Sequence, residues 1–355
     1  MKILMVTSSF PPDQYGGLES AFHNLYQIAR QYHEVQLLTG WQRTRSMIPP
    51  EAIAVPLTNL PYWRVWLRLS REMNRVIASF KPDIIICSSI TIPHVDIPTI
   101  CLWQEETYLP STLSIRHHIK ITLQKMRIRN LYKVIVPSHN TAENLKQMGL
   151  DFPNIQHISN GIDLEYFRPE LSKKESETFV ILLPSRFHLD RGQHLAIDVV
   201  ARLPKKWKSK VRLILAGTLE DRVYLEQLRV QSYNQPVQFA IDVPDMLPYY
   251  QQADLVISTT LNGEGLSNAL LESMACGCPV IWFDIPSVRD SIGGTGICIE
   301  KGNIEAFTKS IIELLENPQK TQDISRVSRK YVQQHYNWKQ IWSQFELLFE
   351  GVRIK

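Results

Sequence analysis

Two carboxylates, Glu264 and Glu272, stand eight positions apart in the run Glu-Gly-Leu-Ser-Asn-Ala-Leu-Leu-Glu, which leads into Ser-Met-Ala-Cys-Gly-Cys-Pro-Val. On a single helix that spacing would set them about 80° apart around the axis, a poor arrangement for a shared site. The pair makes chemical sense if Glu264 lies in the loop before a helix and Glu272 in its second turn. Ser267 is then the N-cap, and the first amides point unpaired toward whatever Glu264 faces. Free amides at the positive end of a helix dipole attract an anion, commonly a diphosphate. Carboxylates beside that anion need a neutral partner. Sugar and ribose hydroxyls meet the need, because an ionised carboxylate only accepts hydrogen bonds. The combination predicts a nucleotide-sugar site. By spacing alone, a surface Glu and a solvated helix Glu fit as well.

Arg186 and Arg191 supply the missing positive charge. They flank a predicted strand-to-helix turn that closes on Gly192. Guanidinium forks suit two phosphates and keep their charge at any working pH. Aimed at one place, the two would balance a leaving nucleoside diphosphate, a task a metal performs elsewhere. No Asp-x-Asp pair occurs in the chain, which speaks against a metal-bridged donor, and neither a metal nor a cofactor is expected. Gly16-Gly17 gives backbone room for a phosphate or substrate at the start of the first helix. It is not Gly-x-Gly-x-x-Gly, and no Gly-Lys-Ser/Thr loop is present, so a nicotinamide or P-loop reading lacks its main support.

The charge is unevenly spread. Residues 1–168 carry 17 Lys and Arg against 13 Asp and Glu, whereas residues 169–355 carry 22 of each. An anionic partner is therefore expected on the first half. Arg64, Arg68, Arg71 and Arg75 fall on one helical stripe, and Ser114–Lys133 holds Arg116, Lys120, Lys125, Arg127, Arg129 and Lys133 with no acidic residue. Basic amphipathic segments suit an anionic lipid surface or a phosphorylated acceptor, and equally a solvated helix face. Nucleic acid is not expected, since no aromatic-interleaved module accompanies the charge. The five cysteines, Cys87, Cys101, Cys276, Cys278 and Cys298, are odd in number and scattered, and read as small reduced apolar residues. Ile3–Val6 is shorter than a signal-peptide core and no run reaches transmembrane length, so a cytoplasmic location is expected, peripheral at most to the inner membrane face.

The elements that must position these groups alternate along a chain of 355 residues, enough for two α/β domains. Buried strands are predicted at Lys2–Thr7, Val35–Thr39, Asp83–Cys87, Thr99–Trp103 and Lys133–Pro137, with helices near 18–31, 64–79, 113–130 and 140–148. The second half repeats the scheme. Strands are predicted at Phe179–Leu183, Val211–Ala216, Val237–Phe239, Leu255–Ser258, Val280–Phe283 and Gly296–Ile299, with helices near 191–203, 220–232, 266–276, 304–316 and 321–335. Continuous apolar strands separated by helices imply parallel sheets covered on both faces. Ligands of such sheets bind outside the carboxyl ends of strands, which is where the peculiar residues lie. Two rims facing across a hinge would enclose a cleft between domains. The polar stretch 170–178 is the predicted linker.

These residues resemble those of the family 4 glycosyltransferases of the GT-B fold along nearly the whole chain. The matching motifs are Gly16-Gly-Leu-Glu19, Val136-Pro-Ser138, Asn160-Gly-Ile-Asp163 with Phe167-Arg-Pro169, Ser185-Arg186 through Arg191-Gly192, and Tyr249-Tyr-Gln-Gln-Ala-Asp254. Glu264 to Glu272 is the most diagnostic, and Tyr336-Asn-Trp338 opens the closing helix. The resemblance implies two Rossmann-like domains, an acceptor-binding one over 1–168 and a nucleotide-sugar-binding one over 169–337. A helix over about 338–355 would pack back on the first. It further implies metal-independent, retaining transfer of a sugar from a UDP- or GDP-linked donor to a glycan or lipid-linked acceptor. Glu264 would hold donor-sugar hydroxyls and Glu272 the ribose. Amides of Gly265, Leu266 and Ser267 would help hold sugar and phosphates, and Arg186 and Arg191 would stabilise the departing diphosphate. Two departures stand out. Arg191 replaces the family's lysine, and Gln104, followed by Glu105, stands where the family commonly has an active-site histidine. A small soluble acceptor, or a non-catalytic nucleotide-sugar-binding scaffold, are the alternatives.

Overall fold

The computed structural model describes residues 1–11, 17–41, 48–58, 60–88, 95–103, 115–170, 177–262 and 266–353. They form two compact units, Met1–Gly161 with Trp338–Lys355, and Ile162–Asn337.

The first unit is a seven-stranded, all-parallel sheet in the order β3-β2-β1-β4-β5-β6-β7. Its strands are β1 (Lys2–Thr7), β2 (Glu34–Trp41), β3 (Ile53–Pro56), β4 (Ile84–Cys87), β5 (Thr99–Leu102), β6 (Lys133–Val136) and β7 (Ile155–His157). Successive side chains of a strand point to opposite faces. On β1, Ile3 and Met5 enter one apolar cluster and Leu4 and Val6 another, all four fully buried. Both faces are thus covered, which is why the strand reads as an unbroken apolar run. α1 (Gly17–Tyr32) shares the first cluster through Phe22, Leu25, Tyr26 and Ala29. So does α13 (Trp338–Arg353), which lays Ile341, Trp342, Phe345, Leu348 and Phe349 on one stripe. The Gly161 backbone lies so close to Trp338 that a Cβ there would stand 2.4 Å from the indole. The other face is covered by α2 (Tyr62–Phe80), α3 (Ile115–Arg129) and α4 (His139–Gln147), through Val65, Leu69, Met73, Ile128 and Leu145.

The second unit is a six-stranded parallel sheet in the order β10-β9-β8-β11-β12-β13. These are β8 (Phe179–Pro184), β9 (Val211–Gly217), β10 (Val237–Ile241), β11 (Leu255–Ser258), β12 (Val280–Phe283) and β13 (Ile297–Ile299). The connecting helices are α5 (Gln193–Ala201), α6 (Lys205–Lys208), α7 (Arg222–Gln231), α8 (Leu247–Gln252), α9 (Asn268–Ala275), α10 (Pro286–Ile292), α11 (Ile304–Glu316) and α12 (Pro318–His335).

The boundary between units lies at Gly161/Ile162, upstream of the predicted 168/169. Ile162 is buried in the second core, donates its N–H to the Tyr336 carbonyl (2.7 Å) and forms a bridge with Asn337. Phe167 packs edge-on against Tyr250, with ring centroids 6.0 Å apart. The polarity of 170–178 pointed to a linker, but the apolar residues before it already belong to the second core.

Candidate functional site

The site gathers at the carboxyl ends of β8, β9 and β11, which are neighbours in the second unit's sheet although β11 comes late in sequence. The switch of strand order between β8 and β11 leaves an opening there, the usual place for a ligand in a doubly wound fold. After β8 the chain keeps pairing with the continuation of β9: Ser185 donates to the Ala216 carbonyl (2.8 Å) and Phe187 to that of Thr218 (2.8 Å). Between these bonds sits Arg186. A single 3₁₀ turn, Leu189–Arg191, follows, with the His188 ring accepting the Asp190 N–H (3.3 Å). Gly192 then takes the left-handed conformation at φ 68°, ending the turn and starting α5.

This turn is fastened to the segment that leaves β11. Thr259 Oγ1 donates to the Gly192 carbonyl (2.8 Å), and Leu261 N–H to the Asp190 carbonyl (2.8 Å). Asn262 Nδ2 donates to Asp190 Oδ1 (3.2 Å), and Arg191 Nη1 to the Asn262 carbonyl (3.4 Å). A Cβ on Gly192 would stand 2.0 Å from the Thr259 carbonyl oxygen, so only glycine allows this approach. From below, the fully buried Gln193 donates through Nε2 to the Arg186 carbonyl (2.7 Å). Arg186 and Arg191 are therefore mounted on one rigid turn, docked to the strand end that runs toward Glu264. Glu264 and Gly265 themselves lie outside the described residues.

Arg186 does not stand clear of anionic partners. Its Nη1 meets both carboxylate oxygens of Glu220, at 3.0 and 2.9 Å. Glu220 follows β9 and was not expected from the sequence. The clue was available, since β9 was predicted and its end carries Glu220, but only the strand order shows that β9 lies beside β8.

α9 carries the second carboxylate. Ser267 holds the N-cap position as expected, but its side chain makes no cap bond. Its amide is not left unpaired either: it donates to Ser291 Oγ (3.0 Å). The expectation of an open Ser267 amide is thus corrected. Ser291 is fully buried on α10, where its hydroxyl donates to the Ser287 carbonyl (2.7 Å) and takes the nearest available N–H. The Ser291 carbonyl in turn accepts the Tyr336 hydroxyl. Leu266 is half-buried and packs on the second core.

Glu272 lies in the second turn of α9, partly buried. Its Oε2 accepts the hydroxyl of Tyr250 (2.8 Å), itself 1% exposed. Burial pushes the carboxyl up to about 7, against the pull of the Tyr250 hydrogen bond, with Asp245 adding repulsion. The same environment raises the Tyr250 phenol well above its ordinary value. Hydrogen bonds donated by the hydroxyls of a ligand would favour the ionised form of this carboxyl, which burial otherwise disfavours.

The remaining predicted residues belong to the first unit. Gly17 opens α1, while Gly16, Gln104 and Glu105 lie outside the described residues. Arg64, Arg68 and Arg71 are exposed on α2, with Arg68 Nη1 donating to the Pro56 carbonyl (2.8 Å). Arg127 is exposed on α3, close in sequence to the exposed Leu123 and Met126; the side chains of Arg116 and Lys120 are outside the described residues. Among the described residues, no three His, Cys, Asp or Glu side chains gather as a metal site, and no helix is long and apolar enough to cross a membrane.

Residues 15–166 match the family described as Glycosyltransferase Family 4, and residues 167–331 match Glycosyl transferases group 1. The capsular polysaccharide biosynthesis glycosyltransferase CapM of Staphylococcus aureus is 26% identical over 202 residues, 54% of this chain and 53% of CapM. The GDP-mannose-dependent monoacylated alpha-(1-6)-phosphatidylinositol monomannoside mannosyltransferase of Corynebacterium glutamicum is 24% identical over 221 residues, 57% of this chain and 58% of that protein. These matches span little more than half the length of the relatives. In architecture the chain is similar to Anabaena Alr3699/HepE, solved in complex with UDP and glucose, with a TM-score of 0.81, 20% identity and coverage of 99% of this chain and 100% of that one. The chain belongs to family 4 of the glycosyltransferases and has their GT-B fold.

Proposed function

We propose that this chain is a retaining, metal-independent glycosyltransferase. It would move a sugar from a UDP- or GDP-linked donor to a lipid-linked or polysaccharide acceptor. The observation that carries the reading is the Arg186–Gly192 turn, docked onto the segment leading to Glu264 and set in one unit with Glu272. Bound there, the donor's ribose hydroxyls donate to Glu272 and its diphosphate meets Arg186 and Arg191. Glu264 takes hydroxyls of the donor sugar. As the bond from the sugar's anomeric carbon to the diphosphate oxygen breaks, the electron pair stays on that oxygen. Arg186 and Arg191, mounted on that turn, stabilise the growing charge in this reading. The acceptor hydroxyl attacks on the same face, and its proton passes to a phosphate oxygen, so no protein base is needed. CapM and the C. glutamicum mannosyltransferase, by their names, act in capsule and phosphatidylinositol-mannoside synthesis, which supports a cell-envelope acceptor.

Exposed Arg64, Arg68 and Arg71 beside the exposed Leu67 support peripheral contact with an anionic inner membrane face. Thermal-shift screening against UDP-, GDP- and ADP-sugars tests the donor assignment: a ligand at about 100 times its dissociation constant adds roughly 2.7 kcal/mol. No shift with any of them refutes it. Slow donor hydrolysis, lost in Glu264→Ala and Arg186→Ala, separates an enzyme from a binding scaffold. Flotation with anionic liposomes at low salt, released at high salt and lost in the triple change of Arg64, Arg68 and Arg71 to Glu, tests the membrane contact.

A further inference from the structure

Building on the donor reading above, we propose that Glu220 is a resident competitor for the diphosphate. Its carboxylate occupies the Arg186 guanidinium between turnovers and exchanges with the donor's phosphates when the nucleotide-sugar arrives.

Three features of the Glu220 environment carry this. First, the contact is made by a carboxylate on the group that the diphosphate would engage. Both Glu220 oxygens converge on the single nitrogen Nη1, at 3.0 and 2.9 Å. This is not the fork-on-fork pairing that makes an Arg–carboxylate bridge strong and geometrically fixed. Second, the backbone holding Glu220 is pinned on both sides while its side chain is not. Leu219 N–H donates to Asp242 Oδ1 (2.9 Å), and Asp221 N–H to the Phe187 carbonyl (3.0 Å). Asp221 also caps α7 by accepting the Tyr224 N–H (3.0 Å). Among the described residues, the Glu220 carboxylate has no hydrogen-bond partner besides Arg186. The acid is delivered to the guanidinium by a stiff loop and then held only by what it meets there. Third, both side chains reach solvent, 31% exposed for Arg186 and 43% for Glu220, so a solvated anion can displace the carboxylate without opening the core.

An exposed pair of this kind contributes little to stability. Swapping a carboxylate for a phosphate on one guanidinium exchanges one charge-assisted bond for another. The consequence is kinetic and thermodynamic at once. Donor affinity is held below what Arg186 would give without this carboxylate, and after the sugar leaves, the carboxylate is at hand to reclaim Arg186 and help expel the nucleoside diphosphate. A purely orienting role for Glu220 predicts the opposite, since removing an orienting partner weakens binding.

Isothermal titration of the full chain with inorganic pyrophosphate, UDP and GDP decides between them. Glu220→Gln keeps shape and removes charge; Glu220→Ala serves as the second variant, and unchanged thermal melts without ligand show that each is folded. We expect both variants to bind pyrophosphate and the accepted nucleoside diphosphate about two- to fivefold more tightly than wild type at low salt. The gain should shrink at high salt and vanish when Arg186→Ala is combined with Glu220→Gln. Unchanged or weaker binding in the Glu220 variants, with wild type still binding a nucleoside diphosphate, overturns the competitor role and leaves the donor reading standing. Tighter pyrophosphate binding by the variants, with no nucleoside diphosphate bound by any protein, supports the competitor and removes the donor reading. No binding of any of the three ligands by wild type or variants overturns both.

Discussion

Replacing Glu272 by Gln should make the unliganded protein more stable at pH 8 relative to wild type than at pH 4.5, while weakening nucleotide binding. In the folded protein the Glu272 carboxyl titrates at about 7, against 4.5 for the unstrained side chain, chiefly because the group is desolvated beside Tyr250. A group that holds its proton more tightly when folded contributes stability that is fully present below pH 4.5. That contribution fades as pH rises and is gone above about 7, where the native state must carry a poorly solvated charge. The interval is about 2.5 pH units, and at about 1.4 kcal/mol per unit the loss is at most about 3.5 kcal/mol. Partial exposure of the side chain lowers that ceiling. Gln does not titrate, so the difference in unfolding free energy between the variant and wild type should grow with pH across this window and be flat outside it. Other titrating groups, such as the histidines His23 and His194, cancel in the comparison. Urea unfolding of both proteins at half-unit steps from pH 4.5 to 8.5 measures it. Ligand reverses the sign, because ribose hydroxyls donate to the ionised form. UDP or GDP should therefore bind wild type more tightly as pH rises through 7, and the Gln variant weakly and without that dependence. Parallel stability curves for the two proteins would refute the assignment of a desolvated carboxylate to this position.

Tyr250→Phe removes the hydroxyl that favours the ionised form of Glu272, so the midpoint of the pH-dependent nucleotide binding should move upward, readable by titration at several pH values. Gly192→Ala forces a Cβ to within 2.0 Å of the Thr259 carbonyl at a positive φ, and should cost more than about 2 kcal/mol in urea unfolding while also abolishing nucleotide binding, because both arginines ride on that turn. Phe349→Ala empties a fully buried ring position on α13, in the apolar cluster that helix shares with α1, and should destabilise the first unit by about 3–5 kcal/mol, with nucleotide affinity measured on the folded fraction unchanged.

Much of this architecture was legible in apolar runs and their punctuation. β11, β12 and α11 fall where the sequence places them, because short apolar runs such as Leu-Val-Ile-Ser and Val-Ile-Trp-Phe, bounded by turn residues, read as buried strands and a 13-residue amphipathic period reads as a helix. β3 and β7 escaped notice. Both are sheet-edge strands too short to show a period: β3 is the apolar but proline-ended Ile-Ala-Val-Pro, and β7 is Ile-Gln-His, with one apolar residue. α10 was missed for another reason: its seven residues include Ser287, Asp290 and Ser291, which read as a loop until packing shows the serines buried. The site divides the same way. The arginines and Glu272 announce themselves by type and by their place after strands. Glu220 on Arg186 and Ser291 on the Ser267 amide do not, because each contact depends on which strand ends or helices become neighbours. Sequence order does not contain that information.

The route of the chain has a consequence for biosynthesis. Everything from Ile162 to Asn337 is contiguous, and that module can close around its own sheet as soon as it leaves the ribosome. The module made first is in the opposite position. Its strands are finished early, yet the Trp342–Phe349 stripe that seals one face of them is translated only after the whole of its neighbour. A nascent chain halted just after Asn337 would leave an open greasy surface on the first module although the second is complete, and such truncated products are the ones expected to seek chaperones.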